Sequence, residues 1–353
     1  MFRRLTLWLV LMSMLNGCEK QGTPSTAGMK PSDAGSSSGG IRVVYIPKNT
    51  GNPYFNGVIT GLEKGCRELG VEFFTTGPAN PDATSQIPFL KDQVQRGVNV
   101  ICISPNSPDA LNQVLDDARA RGIKVITVNS DIVGNESHRD AAVYPCDFDK
   151  LGASQIELLG SLINYEGKFA ILSATTDAPD QNYWIQGMKE ALRDPKYAKM
   201  ELVDIVYGDD KPQKSRTEAE GLLTKYPELR AILAPTSVGV EQAAKAVEAA
   251  GVYPGGANAK GKGVVVTGLG TPNQLRRYIK DNIITAAALW SPPDEGYVSA
   301  YLAVGLATGK VTAQPGNSFN LPGFGQREFR KNNLVVTGPP LIFTKDNIDQ
   351  YNF

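Results

Sequence analysis

The residues of this sequence best suited to chemistry are acidic, amide and aromatic side chains that follow apolar runs. An ionised aspartate accepts hydrogen bonds whereas lysine and amide groups donate them, so together they suit a ligand whose hydroxyl groups do both. A hydrogen bond to a charged partner contributes about 1.5 to 3 kcal/mol, and flat aromatic rings suit apolar C–H faces. The set therefore predicts binding of one small, hydroxyl-rich molecule. Its members are Lys48, Asn52, Tyr54, Phe55, Asp131, Asp180, Gln181, Trp184, Pro235, Ser237 and Trp290.

Two other interpretations of these residues remain open on the sequence. The aromatic side chains equally suit the filling of a hydrophobic core, where aromatic residues are common. Asp131 and Asp180 have the chemistry of a general acid and base facing each other across a cleft, as in glycosidases, but sequence does not give their separation.

Other enzyme chemistries lack their residues. The only histidine, His138, lies in the polar run from Gly134 to Arg139, so neither a metal-binding histidine cluster nor a Ser-His-Asp set is expected. No Gly-x-Gly-x-x-Gly follows the first apolar run, and no Walker-type phosphate loop is present. We expect a protein that is not an enzyme and that uses neither cofactor nor metal.

The elements that must position these residues alternate between apolar runs and amphipathic stretches. This alternation predicts an α/β fold of two Rossmann-like lobes, with parallel sheets flanked by helices and a ligand cleft between the lobes. In such sheets ligands lie beyond the carboxyl ends of the strands, which is where the candidate contacts fall. The predicted strands are Ile41 to Ile46, Val71 to Thr75, Val98 to Ile103, Lys124 to Val128, Phe169 to Ser173, Leu202 to Val206, Ala231 to Ala234, Val264 to Thr267 and Ile283 to Leu289.

Local signals mark several helix ends. Ser107-Pro108-Asp109 is the best helix start, since serine caps and proline suits the first turn. Pro88 conflicts with a helix over 84–96, which must begin late or kink. Four glycines close helical stretches where a left-handed residue is needed, namely Gly70, Gly97, Gly122 and Gly251.

The N-terminal segment reads as a leader. Arg3 and Arg4 precede an apolar run that is too short to span a bilayer, and Leu15-Asn16-Gly17-Cys18 resembles a lipobox. We expect residues 1–18 to be a lipoprotein signal peptide, with lipidation at Cys18, and the Ser/Gly-rich residues 19–40 to form a flexible tether. The mature chain would then lie in the periplasm or at the cell surface, attached to the membrane only through its lipid.

Charge and cysteine content restrict the partners. Basic and acidic residues both number 36, so no basic surplus favours nucleic acid. Apart from Cys18, an odd number of cysteines remains, which argues against a complete disulfide framework. Cys102 lies in an apolar run, where a buried inert thiol is expected.

Several short segments occur in a specific order along the chain, namely Ile46-Pro47-Lys48, Ser104-Pro105-Asn106, Asn129-Ser130-Asp131, Asp180-Gln181-Asn182-Tyr183-Trp184, Thr271-Pro272-Asn273 and Ile342-Phe343-Thr344-Lys345-Asp346-Asn347-Ile348. In these segments the sequence resembles the type I periplasmic sugar-binding proteins, and within them the rhamnose-binding and autoinducer-2-binding (LsrB-like) branch. The resemblance covers the chain from Ile41 to Phe353.

The resemblance implies a ligand and contacts. The autoinducer-2 receptor pattern matches Lys48, Asp131, Asp180 with Gln181, and Pro235, but Ser237 stands where that pattern has alanine. The segment from Trp290 to Tyr297 looks more like the rhamnose-binding relatives. It therefore implies a monosaccharide, with a rhamnose-like deoxysugar favoured and autoinducer-2 as the alternative. A glycoside-processing enzyme that uses Asp131 and Asp180 is a further rival.

The resemblance also implies three crossings between lobes, near 145–147, 270–271 and 290–291. The expected first lobe is 41–145 plus 271–290, and the second is 146–270 plus 291–353. We expect a monomer that serves an ABC importer, whose permease and ATPase are separate chains.

Overall fold

The computed structural model describes residues 40–353. The predicted signal peptide, Cys18 and nearly all of the predicted tether lie outside the described residues. Within the described part, no helix is long and apolar enough to cross a membrane.

The strands are β1 Arg42–Ile46, β2 Glu72–Thr75, β3 Val100–Ile103, β4 Lys124–Val128, β5 Ala141–Tyr144, β6 Glu166–Ser173, β7 Lys199–Tyr207, β8 Leu229–Ala234, β9 Val265–Gly268, β10 Ala286–Leu289, β11 Ser318–Leu321, β12 Gly325–Glu328, β13 Leu334–Val336 and β14 Leu341–Thr344. The α-helices are α1 Tyr54–Glu68, α2 Ile87–Arg96, α3 Asn112–Ala120, α4 Phe148–Ile163, α5 Pro179–Ala191, α6 Pro212–Lys225, α7 Ser237–Ala250, α8 Pro272–Lys280 and α9 Pro292–Ala307.

The first lobe is built on a parallel sheet in the order β13-β5-β4-β3-β1-β2. Its central strands are apolar because both faces are covered, and Val43 to Ile46 are wholly buried. Helices α1 and α9 pack together on one face, while α2 and α3 share a separate apolar cluster with the other face. Because the strands are parallel, the carboxyl ends of β1 and β4 lie at the same edge of the sheet.

The second lobe is built on a parallel sheet in the order β7-β6-β8-β9. Strand β10 continues beside β9 through the bridge between Leu269 and Ala288, and it pairs antiparallel with β14. Helices α4 and α5 pack on each other, as do α6 and α7, and both pairs contact the sheet. The predicted α/β fold is confirmed, and each of the nine predicted runs overlaps a strand. Strand β5 and the strands after residue 310 had not been predicted.

The last third of the chain contacts the lobes differently from the expectation. Residues 271–290 stay with the second lobe, because β10 lies beside β9 and α8 packs on α7. Helix α9 instead packs on α1, and β13 pairs with β5, so these later segments join the first lobe. The chain thus crosses near 145–147, near 290–291 and near 337–340, and not at 270–271 as expected.

The contact between α1 and α9 is unusually close because glycines line it. A Cβ atom on Gly61 would lie 1.9 Å from the carbonyl oxygen of Pro293, and one on Gly296 would lie 2.0 Å from that of Val58. No side chain fits at either position. The two helices therefore bring the start of α1, with Tyr54, against the start of α9.

The local signals agree with the structure except at one helix start. Gly70, Gly97, Gly122 and Gly251 all have positive φ, as predicted. Helix α2 begins late, at Ile87, with Pro88 in its first turn. The predicted start at Ser107 is wrong, because α3 begins at Asn112 and the Ser107 hydroxyl instead caps a turn by accepting from the backbone N–H of Ala110 at 3.1 Å.

The three cysteines of the described residues are buried thiols. Cys66, Cys102 and Cys146 are free and buried. Burial raises the pKa of the Cys66 thiol to about 12 and raises the pKa of the Cys102 and Cys146 thiols as well. The expected inert Cys102 is confirmed.

Candidate functional site

A cavity of about 30 Å³ lies between the two lobes, where the carboxyl ends of their strands face each other. A cavity of this size has room for only a few water molecules, so the lobes are closed on each other. Ten of the eleven predicted contacts line the cavity. The lining consists of Lys48, Asn52, Tyr54, Phe55, Asn129, Asp180, Gln181, Trp184, Asp210, Pro235, Thr236, Ser237, Leu269, Leu289 and Trp290.

Lys48 from the first lobe reaches across to the start of α5 in the second. Its ammonium group pairs with the carboxylate of Asp180 and lies 3.2 Å from the side-chain oxygen of Gln181. The side chains of Lys48 and Asp180 are both at least 95% buried. The second carboxylate oxygen of Asp180 is buried and has no hydrogen-bond partner, so it is an acceptor available to a ligand.

A second polar contact joins the lobes at Asp210, which follows β7. Asn52 of the first lobe donates from Nδ2 to the Asp210 Oδ2 atom at 3.2 Å, and Thr236 donates its hydroxyl to Oδ1 at 2.5 Å. Burial raises the pKa of the Asp210 carboxyl, while these two donors and the charge of Lys48 act in the opposite direction. Asp210 thus presents a second carboxylate to the cavity.

Aromatic rings form the apolar part of the lining. The rings of Trp184 and Trp290 meet edge to face with centroids 5.7 Å apart, and Tyr54 lies 6.2 Å from Trp290. All three belong to the hydrophobic core and also face the cavity. The core interpretation and the ligand interpretation of these residues are therefore compatible. The indole N–H of Trp184 is buried without a partner, so the lining residues include one unpaired donor as well as the unpaired oxygen of Asp180.

Behind the lining, Tyr54 is held by a buried network. Its hydroxyl accepts from Trp290 Nε1 at 2.6 Å and from Asn129 Nδ2 at 2.9 Å, and it donates to Glu295 at 2.5 Å. Glu295 is fully buried, and this burial is the main reason that its pKa is raised to about 8. The network fixes the ring of Tyr54 and, through it, the indole of Trp290.

Asp131 is the predicted contact that the structure does not bring to this cavity. Arg139 donates to both of its carboxylate oxygens at 2.6 Å, and Thr127 donates at 2.7 Å. Asp131 borders a separate cavity of about 280 Å³ between the lobes, whose lining includes Val133 and Tyr183. A paired acid and base made of Asp131 and Asp180 is therefore not assembled in one site. Within residues 40–353, no cluster of His, Cys, Asp or Glu side chains could hold a metal ion.

Five lining residues had not been predicted as contacts, namely Asn129, Asp210, Thr236, Leu269 and Leu289. Asn129 belongs to the segment Asn129-Ser130-Asp131, and Thr236 lies between the predicted contacts Pro235 and Ser237. Asp210 follows the predicted strand Leu202 to Val206, so the same strand-end rule points to it.

Comparisons with known proteins agree with this architecture. A family model described as a periplasmic binding protein domain matches residues 43–311. The structure of a sugar ABC transporter from Actinomyces odontolyticus ATCC 17982 is similar, with 37% identity, a TM-score of 0.70, and coverage of 89% of this chain and 98% of that one. An ABC transporter solute-binding protein from Clostridium phytofermentas with bound L-rhamnose has 29% identity, a TM-score of 0.82, and coverage of 89% and 99%.

A curated relative extends the comparison. The ribose import binding protein RbsB of Bacillus subtilis (strain 168) is 24% identical over 281 residues, which are 80% of this chain and 86% of that protein.

Proposed function

The chain belongs to the periplasmic binding protein domain family, and on that premise we propose that it is the extracytoplasmic substrate-binding lipoprotein of an ABC importer. Its ligand is a monosaccharide held between the lobes. One observation carries the proposal: a single cavity takes Lys48 from the first lobe, and Asp180 and Gln181 from the second, beside the rings of Trp184 and Trp290.

The lining matches the chemistry of a sugar. Sugar hydroxyls donate to carboxylates such as Asp180 and accept from donors such as Lys48 and the Trp184 indole. The ring carbons carry C–H groups that pack against the faces of Trp184 and Trp290. Because the polar groups come from both lobes, a ligand that contacts them all holds the lobes closed.

A deoxysugar of the rhamnose type is favoured. Its methyl group replaces a hydroxyl and needs apolar contact, which Leu269 and Leu289 offer in the lining. The resemblance of the segment after Trp290 to rhamnose-binding relatives supports this choice, as does the similarity to the L-rhamnose-bound protein of Clostridium phytofermentas.

Autoinducer-2 is the alternative ligand, for uptake or signalling. Lys48, Asp180, Gln181 and Pro235, which match the receptor pattern, do line one cavity. Two departures favour the sugar: Ser237 replaces the alanine of that pattern, and Asp131 is engaged by Arg139. A glycoside-processing enzyme is less favoured because Asp131 and Asp180 do not share a cavity.

The cellular setting is part of the proposal. Lipidation at Cys18 would hold the protein, as a monomer, at the outer face of a membrane in the periplasm or at the cell surface. The permease and ATPase would be separate chains that receive the ligand from the closed form.

Calorimetric titration with L-rhamnose, D-ribose, D-xylose and autoinducer-2 tests the proposal, after a thermal-shift screen, because a ligand of the folded state raises its melting temperature. We expect binding of L-rhamnose or a close relative. Asp180→Asn should weaken that binding by about 2 kcal/mol, since a charged acceptor is lost. Asp177→Asn, on the exposed residue that precedes α5, is the control and should bind like the wild type. Binding of autoinducer-2 alone would overturn the sugar assignment.

A further inference from the structure

Asp210 is held in a constrained turn. Asp209 and Asp210 both adopt the left-handed conformation, with φ of 53° and 49°, which L-residues other than glycine rarely adopt. The turn is fixed to the end of β6 by backbone hydrogen bonds from Gly208 to Ser173 and from Asp209 to Ala174, both 2.9 Å long. Unusual backbone of this kind persists where surrounding contacts hold it, and such sites are often functional.

Asp210 is buried and borders the cavity. The residue is 8% exposed and lines the same cavity as Lys48 and Asp180. Among the ion pairs of the described residues, none includes Asp210, whereas its neighbour Asp209 pairs with Lys214 at 2.8 Å. Asp210 is held only by the neutral donors of Asn52 and Thr236.

The lining therefore carries more negative than positive charge. Lys48 is its only cation, and it pairs with Asp180, while Asp210 adds a second carboxylate. The buried second oxygen of Asp180 is also without a partner. An anionic ligand would meet two carboxylates at short range in a desolvated cavity, where repulsion is stronger than in water. An uncharged ligand with several hydroxyl donors would satisfy both carboxylates.

We propose that Asp210 is a specificity-determining ligand contact, whose carboxylate accepts a hydroxyl of an uncharged polyol and which, together with Asp180, excludes ligands that carry a carboxylate or phosphate. This inference rests on the proposed function, because it takes the cavity to be the sugar site.

The test compares Asp210→Asn with Asp209→Asn. Both substitutions keep the shape of the side chain, and asparagine accepts the left-handed conformation readily, so the turn should be retained. The second variant changes a carboxylate of the same turn outside the cavity lining. Calorimetry would measure L-rhamnose and D-ribose as uncharged ligands, and D-ribose 5-phosphate and D-galacturonate as anionic ones.

We expect the wild type to bind an uncharged sugar and to reject the anions. Asp210→Asn should weaken binding of the uncharged sugar about tenfold or more and reduce the discrimination against anions, whereas Asp209→Asn should match the wild type. Thr236→Val, which removes the hydroxyl that holds Asp210, should change binding in the same direction and gives a second measurement if Asp210→Asn does not fold.

Wild-type affinity and discrimination in Asp210→Asn would overturn the inference and leave the proposed function standing. Equal losses in the two asparagine variants would also overturn it, because the turn and not the carboxylate would then matter. A wild type that binds none of the uncharged sugars would overturn the proposed function, and the inference with it.

Discussion

At the scale of single residues, Glu295 is the most unusual group near the site. Its carboxyl group is fully buried, has one oxygen without a partner, and accepts a hydrogen bond from the Tyr54 hydroxyl at the other oxygen. Burial and then the charge of Asp180 raise its pKa to about 8, against an ordinary value of 4.5, although the hydrogen bond from Tyr54 lowers it. The folded protein therefore keeps a proton here near neutral pH that the unfolded chain has lost.

Glu295 should make stability depend on pH. Because its pKa is higher in the folded protein than in the unfolded chain, its contribution to the free energy of unfolding is full below pH 4.5. That contribution is lost as the pH rises through about 8. In Glu295→Gln the amide replaces the protonated acid and does not titrate. We expect the variant to gain stability relative to the wild type between about pH 5 and about pH 8, by roughly 2 to 4 kcal/mol. Urea unfolding at these two pH values measures the difference, and the same difference at both would contradict the assignment.

The sequence predicts most of the site because one rule of parallel sheets applies to it. Lys48, Asp180 and Trp290 follow strands, and the carboxyl ends of those strands meet in one cavity. Asp131 obeys the same rule and still lies elsewhere, because Arg139 forms a two-pronged ion pair with it. Arg139 ends the polar run that begins at Gly134, and nothing in that run indicates that its side chain is buried.

At the scale of elements, the packing of α1 on α9 positions the aromatic part of the site. Tyr54 opens α1 and Glu295 lies in the first turn of α9, so their hydrogen bond depends on the close approach of the two helices. Gly61 permits that approach, since an added Cβ would lie 1.9 Å from a backbone oxygen that cannot move independently. A methyl group is enough to separate the helices.

Gly61→Ala should therefore destabilise the protein. We expect a loss of about 1 to 3 kcal/mol or more in the free energy of unfolding, because overpacking exceeds the gain in helix propensity. Sugar binding should weaken as well, since Tyr54 and Trp290 are displaced. The matched control is Gly221→Ala in α6, where an added Cβ meets no atom within 4 Å, and it should stabilise by roughly 0.5 to 1 kcal/mol. Urea unfolding measures both variants, and equal effects would show that the helix contact is not limiting.

Helix starts show where local signals suffice and where they do not. Ser291-Pro292 begins α9, and the Ser291 hydroxyl accepts from the backbone N–H of Asp294 at 3.3 Å. Ser107-Pro108 has the same local pattern but caps a turn, and α3 begins four residues past Pro108. A serine cap satisfies backbone donors in a turn as well as in a helix, so only the surrounding packing separates the two outcomes.

At the scale of the whole molecule, the late segments of the chain return to lobes other than the ones expected from the sequence. Helix α9 was expected in the second lobe and packs in the first, with β13 beside β5. Most of its residues are buried, so its sequence shows no polar face that would indicate which lobe it covers. The alternation of strands and helices predicts two lobes, but it does not say to which lobe the last segments return.

The closed cleft implies movement if the proposed function holds. A cavity of about 30 Å³ is far smaller than a ligand pocket, which is typically about 300 Å³ or more. A sugar can enter only if the contacts of Lys48 with Asp180 and of Asn52 with Asp210 are broken. The three crossings of the chain between lobes are the natural hinges.

The most direct measurement of this central claim is the distance between spin labels on opposite lobes, at Val133→Cys and Tyr183→Cys. Both positions are 38% exposed and line the second cavity between the lobes. Cys66, Cys102 and Cys146 are buried and their raised pKa values keep them unreactive, and Cys18 is replaced by serine for the labelling. We predict a broad or long distance distribution without ligand that becomes short and narrow when the sugar identified by calorimetry is added. A distribution that does not change at saturating sugar would contradict closure of the two lobes on a ligand between them.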